Sequence, residues 1–70
     1  MRPNGIAIRT IRKAQNLTLR GLARQARCHP SHLSRLERGL AGASDETIQR
    51  LADGLMVPVG AIATLTEETL

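Results

Sequence analysis

The sequence predicts an all-α domain of five short helices. Apolar residues recur at three- and four-residue spacing from Ile8 to Ile62, the period of one buried helix face. No segment alternates apolar and polar residues as a half-buried strand would. Pro3, Pro30, Pro58, Gly39 and Gly42 cut the chain into short pieces, and both residue types interrupt helices.

Each element has its own signals. Residues 1–5 read as a short arm carrying Arg2. The helical pattern starts at Ile6, with Ile8 and Ile11 on one face and Arg9, Arg12 and Lys13 crowding the other. Asn16-Leu17 closes this first helix. Thr18 is the N-cap of the second, whose stripe is Leu19, Leu22, Ala23 and Ala26. Arg27-Cys28-His29 is the break. Pro30 suits the first position of the third helix, where a missing amide leaves nothing unpaired. Leu33 and Leu36 form its stripe, and Gly39 suits a left-handed residue at its end. Residues 40–43 are a loop. Ser44 caps the fourth helix, with Asp45 and Glu46 at the positive end of its dipole. Its stripe is Ile48, Leu51, Ala52 and Leu55, and Gly54 weakens its last turn. Pro58 opens the fifth helix, with Val59, Ile62 and Leu65 inward.

Composition narrows the function. The 70 residues form one domain, residues 1–70. A chain this short buries only about 60% of the surface that its unfolded form exposes. It has no Phe, Tyr or Trp, so the core is aliphatic and no base can stack on an aromatic ring. The lone Cys28 excludes an internal disulfide and a four-cysteine zinc site. The net charge is +4, but it is lopsided. Residues 1–39 carry nine basic side chains against Glu37 alone; residues 40–70 carry Arg50 against five acids. Basic charge gathered on one part of a domain is the footprint of nucleic-acid binding. The longest nearly apolar run, residues 54–63, is interrupted by Pro58 and is about half of the ~20 residues a membrane span needs. With no export signal, a cytoplasmic protein without a membrane partner is expected.

The stretch 18–38 is the informative one. Two short helices joined by a three-residue turn make a helix-turn-helix. Ala23 falls where the helices cross, and Cys28, Leu33 and Leu36 supply the apolar wedge. The other face of the third helix, Ser31, His32, Ser34, Arg35 and Arg38, is polar or basic. Such a helix fits the DNA major groove.

Leu19-Arg20-Gly21-Leu22-Ala23, His29 to Gly39 with its Leu33-Ser34-Arg35-Leu36-Glu37-Arg38-Gly39, Ser44 to Leu55 and Val57-Pro58-Val59 resemble the Cro and phage-repressor, or XRE-type, helix-turn-helix family. The resemblance runs over about residues 6–63 and implies a lambda-repressor-like fold. It implies a sequence-specific, double-stranded DNA-binding transcriptional regulator, a phage- or mobile-element-type repressor that occupies operator DNA as a homodimer. It makes Arg35 and Ser31 base readers, and His32 and His29 can donate to bases beside them. Thr18, Arg20, Arg38, Lys13, Arg9 and Arg2 are phosphate contacts. It also implies a structural ion pair between Arg12 and Glu37. Arg27 stands where the family usually has a left-handed Gly, a strain of about 1 kcal/mol. Leu19 replaces a frequent Gln, which moves the expected phosphate contact to Thr18.

A dimer would use residues 57–70, with Val59, Ile62 and Leu65 at its contact. Cys28 and His32 have the spacing of a chelate, but Cys28 fills a core slot and no fourth ligand is evident, so no metal or other cofactor is expected. No small-molecule site or catalytic group stands out, and an enzyme is not expected. The alternative function is a protein-interaction module, such as an antitoxin or accessory subunit on the same fold. The basic residues before position 40 favour DNA.

Overall fold

In the computed structural model, which describes residues 1–64, every α-helix begins on a polar side chain. Asn4 accepts from the Ala7 amide, Thr18 from Gly21, His29 from Ser31 and Ser44 from Thr47. These caps start α1 (Gly5–Ala14), α2 (Leu19–Ala26), α3 (Pro30–Glu37) and α4 (Asp45–Leu55). Each satisfies one of the amides that a helix start leaves unpaired.

The four helices also end alike. Asn16, Arg27, Gly39 and Met56 take left-handed backbone, with φ of 60°, 58°, 78° and 60°. The next amide then folds back on the helix. Leu17 donates to the Arg12 carbonyl at 3.0 Å, Cys28 to Ala23 at 3.0 Å, Leu40 to Arg35 at 2.8 Å and Val57 to Ala52 at 3.0 Å. This is the Schellman closure, and only one of the four uses Gly. Two further end carbonyls are covered from other helices. Arg50 Nε donates to Ala26 O at 2.8 Å, and Gln15 Nε2 donates to Leu55 O at 2.6 Å.

α2 packs on α4 and α3, and α1 packs on α3. Ile8, Leu22, Ala23, Ala26, Leu33, Leu36, Ile48, Leu51, Ala52 and Leu55 meet in one aliphatic core. Two glycines mark the closest approaches. A Cβ at Gly5 would stand 2.3 Å from the Leu36 carbonyl oxygen, so the start of α1 lies directly on the end of α3. A Cβ at Gly54 would stand 3.1 Å from Leu22 Cδ1, so this residue lets α4 meet α2 rather than merely weakening a turn.

The fifth helix is absent among the described residues. Val59–Ala61 make one 3-10 turn, and Ile62 leaves helical geometry at φ −125°. A short antiparallel sheet takes its place: β1 (Arg2–Pro3) pairs with β2 (Ala63–Thr64), Arg2 opposite Thr64 and Pro3 opposite Ala63. The segment expected as an arm is thus a strand. Asn4 N donates to Ile62 O at 2.7 Å. Bonding pairs alternate in such a ladder, so Arg2 and Thr64 form the next one. Pro3 falls between, where a missing amide costs nothing. Two-residue strands are too short to show alternation, and this pair forms only across the whole domain.

Ile62 is fully buried in the core and Val59 packs partly against it. Ile62 is therefore unavailable to a second copy, contrary to its expected place at a dimer contact. Leu65, placed at the same contact, lies outside the described residues.

Two substitutions test the backbone constraints by urea denaturation. Gly5→Ala drives a methyl into α3 backbone and should destabilise by about 1–3 kcal/mol. Met56→Gly relieves a left-handed side-chain-bearing residue; after the added entropy of an unfolded glycine, a net gain of about 0.5–1 kcal/mol is expected.

Candidate nucleic-acid interface

The turn between α2 and α3 is set by Arg27 and by the Cys28 amide on Ala23. Ala23 is fully buried, and its small side chain lets the two helices close on each other. α3 turns Leu33, Leu36 and Glu37 inward. Ser31, Arg35 and Arg38 are exposed at spacings of four and three, one stripe along the outer face. His32 and Ser34 flank it, half-buried.

Glu37 is an acid in a nearly closed site, 7% exposed, and Arg12 is 8% exposed. Arg12 Nε donates to Glu37 Oε2 at 2.8 Å and Nη2 donates to Oε1 at 3.2 Å. The remaining nitrogen, Nη1, donates to Leu17 O at 2.8 Å. One guanidinium thus fastens α1, the α1–α2 connection and the last turn of α3. The fork geometry matches a carboxylate at two points, which Lys could not do.

The two histidines have partners inside the chain. His29 Nδ1 accepts from the Ser31 amide at 3.1 Å and lies 2.7 Å from the Ser31 hydroxyl. It is the cap of α3. His32 Nε2 lies 2.9 Å from Gly42 O. A carbonyl only accepts, so Nε2 carries the proton, and His32 holds the α3–α4 loop against the helix. Pro30 at the first helical position already makes residue 29 the cap, a signal the sequence contained. The His32 contact spans ten residues and has no local signature.

Arg2, Arg9, Lys13, Arg20, Arg24, Arg27, Arg35 and Arg38 are all exposed. None has an acidic partner among the described residues, whose ion pairs are Arg12–Glu37, Arg50–Glu46 and the N-terminal amine with Asp45. Arg50, the lone base after position 40, is occupied by Glu46 and the Ala26 carbonyl. The fold therefore concentrates unpaired positive charge on its first three helices. Arg9 and Arg38 meet at one hollow with Ser34 and Leu19; Lys13 and Arg20 do not line it. Thr18 uses its hydroxyl to cap α2.

Cys28 packs partly against the core. Burial pushes its thiol up from the ordinary range, and nearby Arg50 opposes this only in part, so the sulfur is a protonated thiol at neutral pH. Among the described residues no three His, Cys, Asp or Glu side chains gather as metal ligands, and no helix is long and apolar enough to cross a membrane.

Residues 5–65 match the family model of the helix-turn-helix domain. The chain belongs to the helix-turn-helix family, in its Cro and repressor branch. Among solved structures, this helix-turn-helix domain is similar to the clp gene regulator ClgR from Corynebacterium glutamicum, at 38% identity and a TM-score of 0.78 over 80% of its length. It spans 60% of that chain. It is also similar to the restriction-modification controller protein C.AhdI from Aeromonas hydrophila, at 28% identity and a TM-score of 0.79, covering 81% of this chain and 86% of that one. A third likeness is to the biofilm regulator SinR of Bacillus subtilis in complex with DNA, at 32% identity and a TM-score of 0.75, covering 80% and 90%. No curated protein sequence matches.

Removing either half of the buried pair strands the other. Glu37→Ala should cost about 3–5 kcal/mol, a large share of the roughly 4–10 kcal/mol that a helix-turn-helix domain of this size holds. His29→Ala should cost about 1 kcal/mol as a lost cap, and His29→Asn should restore most of it. Thermal and urea unfolding followed by circular dichroism measure both.

Proposed function

We propose that this domain is a sequence-specific transcriptional regulator that lays α3 in the major groove of double-stranded DNA. The observation that carries the reading is the exposed stripe of Ser31, Arg35 and Arg38 on a helix surrounded by basic residues without acidic partners. An arginine offers two donors to the two acceptors on guanine. Arg35, in the middle of the stripe, is the principal base reader and Ser31 the second. His29 and His32 shape the helix end and the loop, and the bases are left to the other two. Thr18, Arg20, Arg9, Lys13 and Arg38 contact phosphates. The likeness to SinR, whose structure was determined with DNA, supports this reading.

The regulator acts by occupancy, as a repressor that excludes polymerase or a competing protein. It works as a pair. One helix reads about four or five base pairs, too few to select a site among ~10⁶ or more competitors. Two copies on a two-fold site double the readout, with half-sites about 34 Å apart. Met56 is exposed and Val57 and Val59 are half-buried beside it, so this corner is the pairing face. Pairing is weak off DNA, because so small a patch falls below the ~1,200 Å² of a stable interface.

Selection from random duplexes tests the roles. Arg35→Ala should relax preference at one base pair per half-site, at about 1–3 kcal/mol, while His32→Ala leaves every base preference in place. Loss of overall affinity without a change in preference would remove Arg35 from base reading. Analytical ultracentrifugation with a palindromic duplex should find two chains per duplex, and a 1:1 complex would refute the pairing.

A further inference from the structure

A groove runs between β1, the first turn of α1 and the end of α3, and three arginines from these three elements line it: Arg2, Arg9 and Arg38. Arg38 is distant in sequence from the other two, and the fold brings all three to one groove. Its carboxylate, Glu37, is buried and bonded to Arg12, which leaves nothing there to offset the three charges. Like charges gathered in a concavity repel each other unless an anion joins them. All three are Arg, whose planar fork matches two phosphate oxygens at once. Arg38 also lies on the outer stripe of α3, three residues beyond Arg35, so the groove continues from the base-reading face. Arg2 borders the loop after α3 as well, facing Gly39, Leu40 and Ala41.

We propose that this groove is a phosphate clamp for the DNA backbone flanking the bases read by α3, with the β1–β2 pair holding Arg2 in place. This rests on the DNA-binding reading above. The clip is what makes Arg2 part of the site. On a free arm, Arg2 would give up its conformational freedom on binding DNA. Held opposite Thr64, with the Asn4 amide on Ile62, it gives up little. The clamp thus depends on residues 63–64, more than sixty positions from Arg2 and outside the helix-turn-helix itself.

The test is fluorescence anisotropy on the full chain, from low to moderate salt, with a duplex selected by the wild type and with a version trimmed of its flanks. The wild type should bind the flanked duplex more tightly and with a steeper salt slope. Arg2→Ala should lower that slope by about 0.9, one phosphate's worth, only on the flanked duplex and with base preference unchanged. Arg2→Lys should restore most of the slope. Thr64→Pro, which breaks the clip, should lower the slope equally, and the double variant should be no worse than Thr64→Pro alone. Circular dichroism reports whether Thr64→Pro keeps its helices, and Arg2→Ala, a change at an exposed side chain, decides if it does not. An unchanged slope for Arg2→Ala, or equal losses on both duplexes, overturns the clamp. Independent, additive losses overturn the role of the clip. A wild type that binds no duplex overturns the DNA-binding reading, and the clamp with it.

Discussion

The ion pair between Arg12 and Glu37 is the constraint on which the rest of the molecule turns. An acid at the end of α3 would be expelled from an aliphatic core unless matched, and Arg12 matches both of its oxygens. The third contact, to the Leu17 carbonyl, makes the same side chain set the entry to α2. Gly5 adds the steric half of the arrangement, since α1 touches the α3 backbone with no side chain between. In a core of small aliphatic residues without an aromatic ring to interlock, helix direction is weakly specified by packing alone. A directional polar contact that engages both carboxylate oxygens supplies that specificity.

A division of labour among charged side chains follows. The charges that hold the fold together are few: Arg12, Glu37 and Arg50. The remaining cations of the first three helices have no structural acid to hold them. Polar neighbours of the exposed face do structural work instead. His29 starts the helix, and His32 fastens the loop that follows it. The outer face of α3 is thereby presented on a helix secured at both ends.

The helices from Thr18 to Leu55 were legible because their signals are local. Thr18, Pro30 and Ser44 sit where a helix must begin, and the stripes behind them have one period. The left-handed Arg27 was legible from the family pattern, as was the pairing of Arg12 with Glu37. Other contacts between distant parts of the chain were not. The two-stranded sheet joins residues with no pattern of their own, and a helix was expected where Val59–Ala61 make one turn. Ile62 shows a deeper ambiguity. An apolar side chain that must be buried looks the same in sequence whether its own core or a second copy covers it, and here its own core does. His29 and His32 carry a related ambiguity: a ring that can bond to DNA can equally bond to its own chain, and here both rings do the second.

The strand pair also changes what kind of object the chain is. With Arg2 opposite Thr64, the beginning and end of the described fold are about 5 Å apart, the spacing of adjacent strands. The backbone describes a nearly closed ring, so its linear order is almost arbitrary with respect to its shape. A short peptide could join the two strands, and the ring could be opened instead within the exposed loop after α3, a kind of site where such rearrangement is tolerated. The helix contacts span about 25 to 40 residues, as between Arg12 and Glu37 or Gln15 and Leu55, whereas the strand pair joins positions 62 apart, and the entropic cost of closing so long a loop rises only slowly with its length.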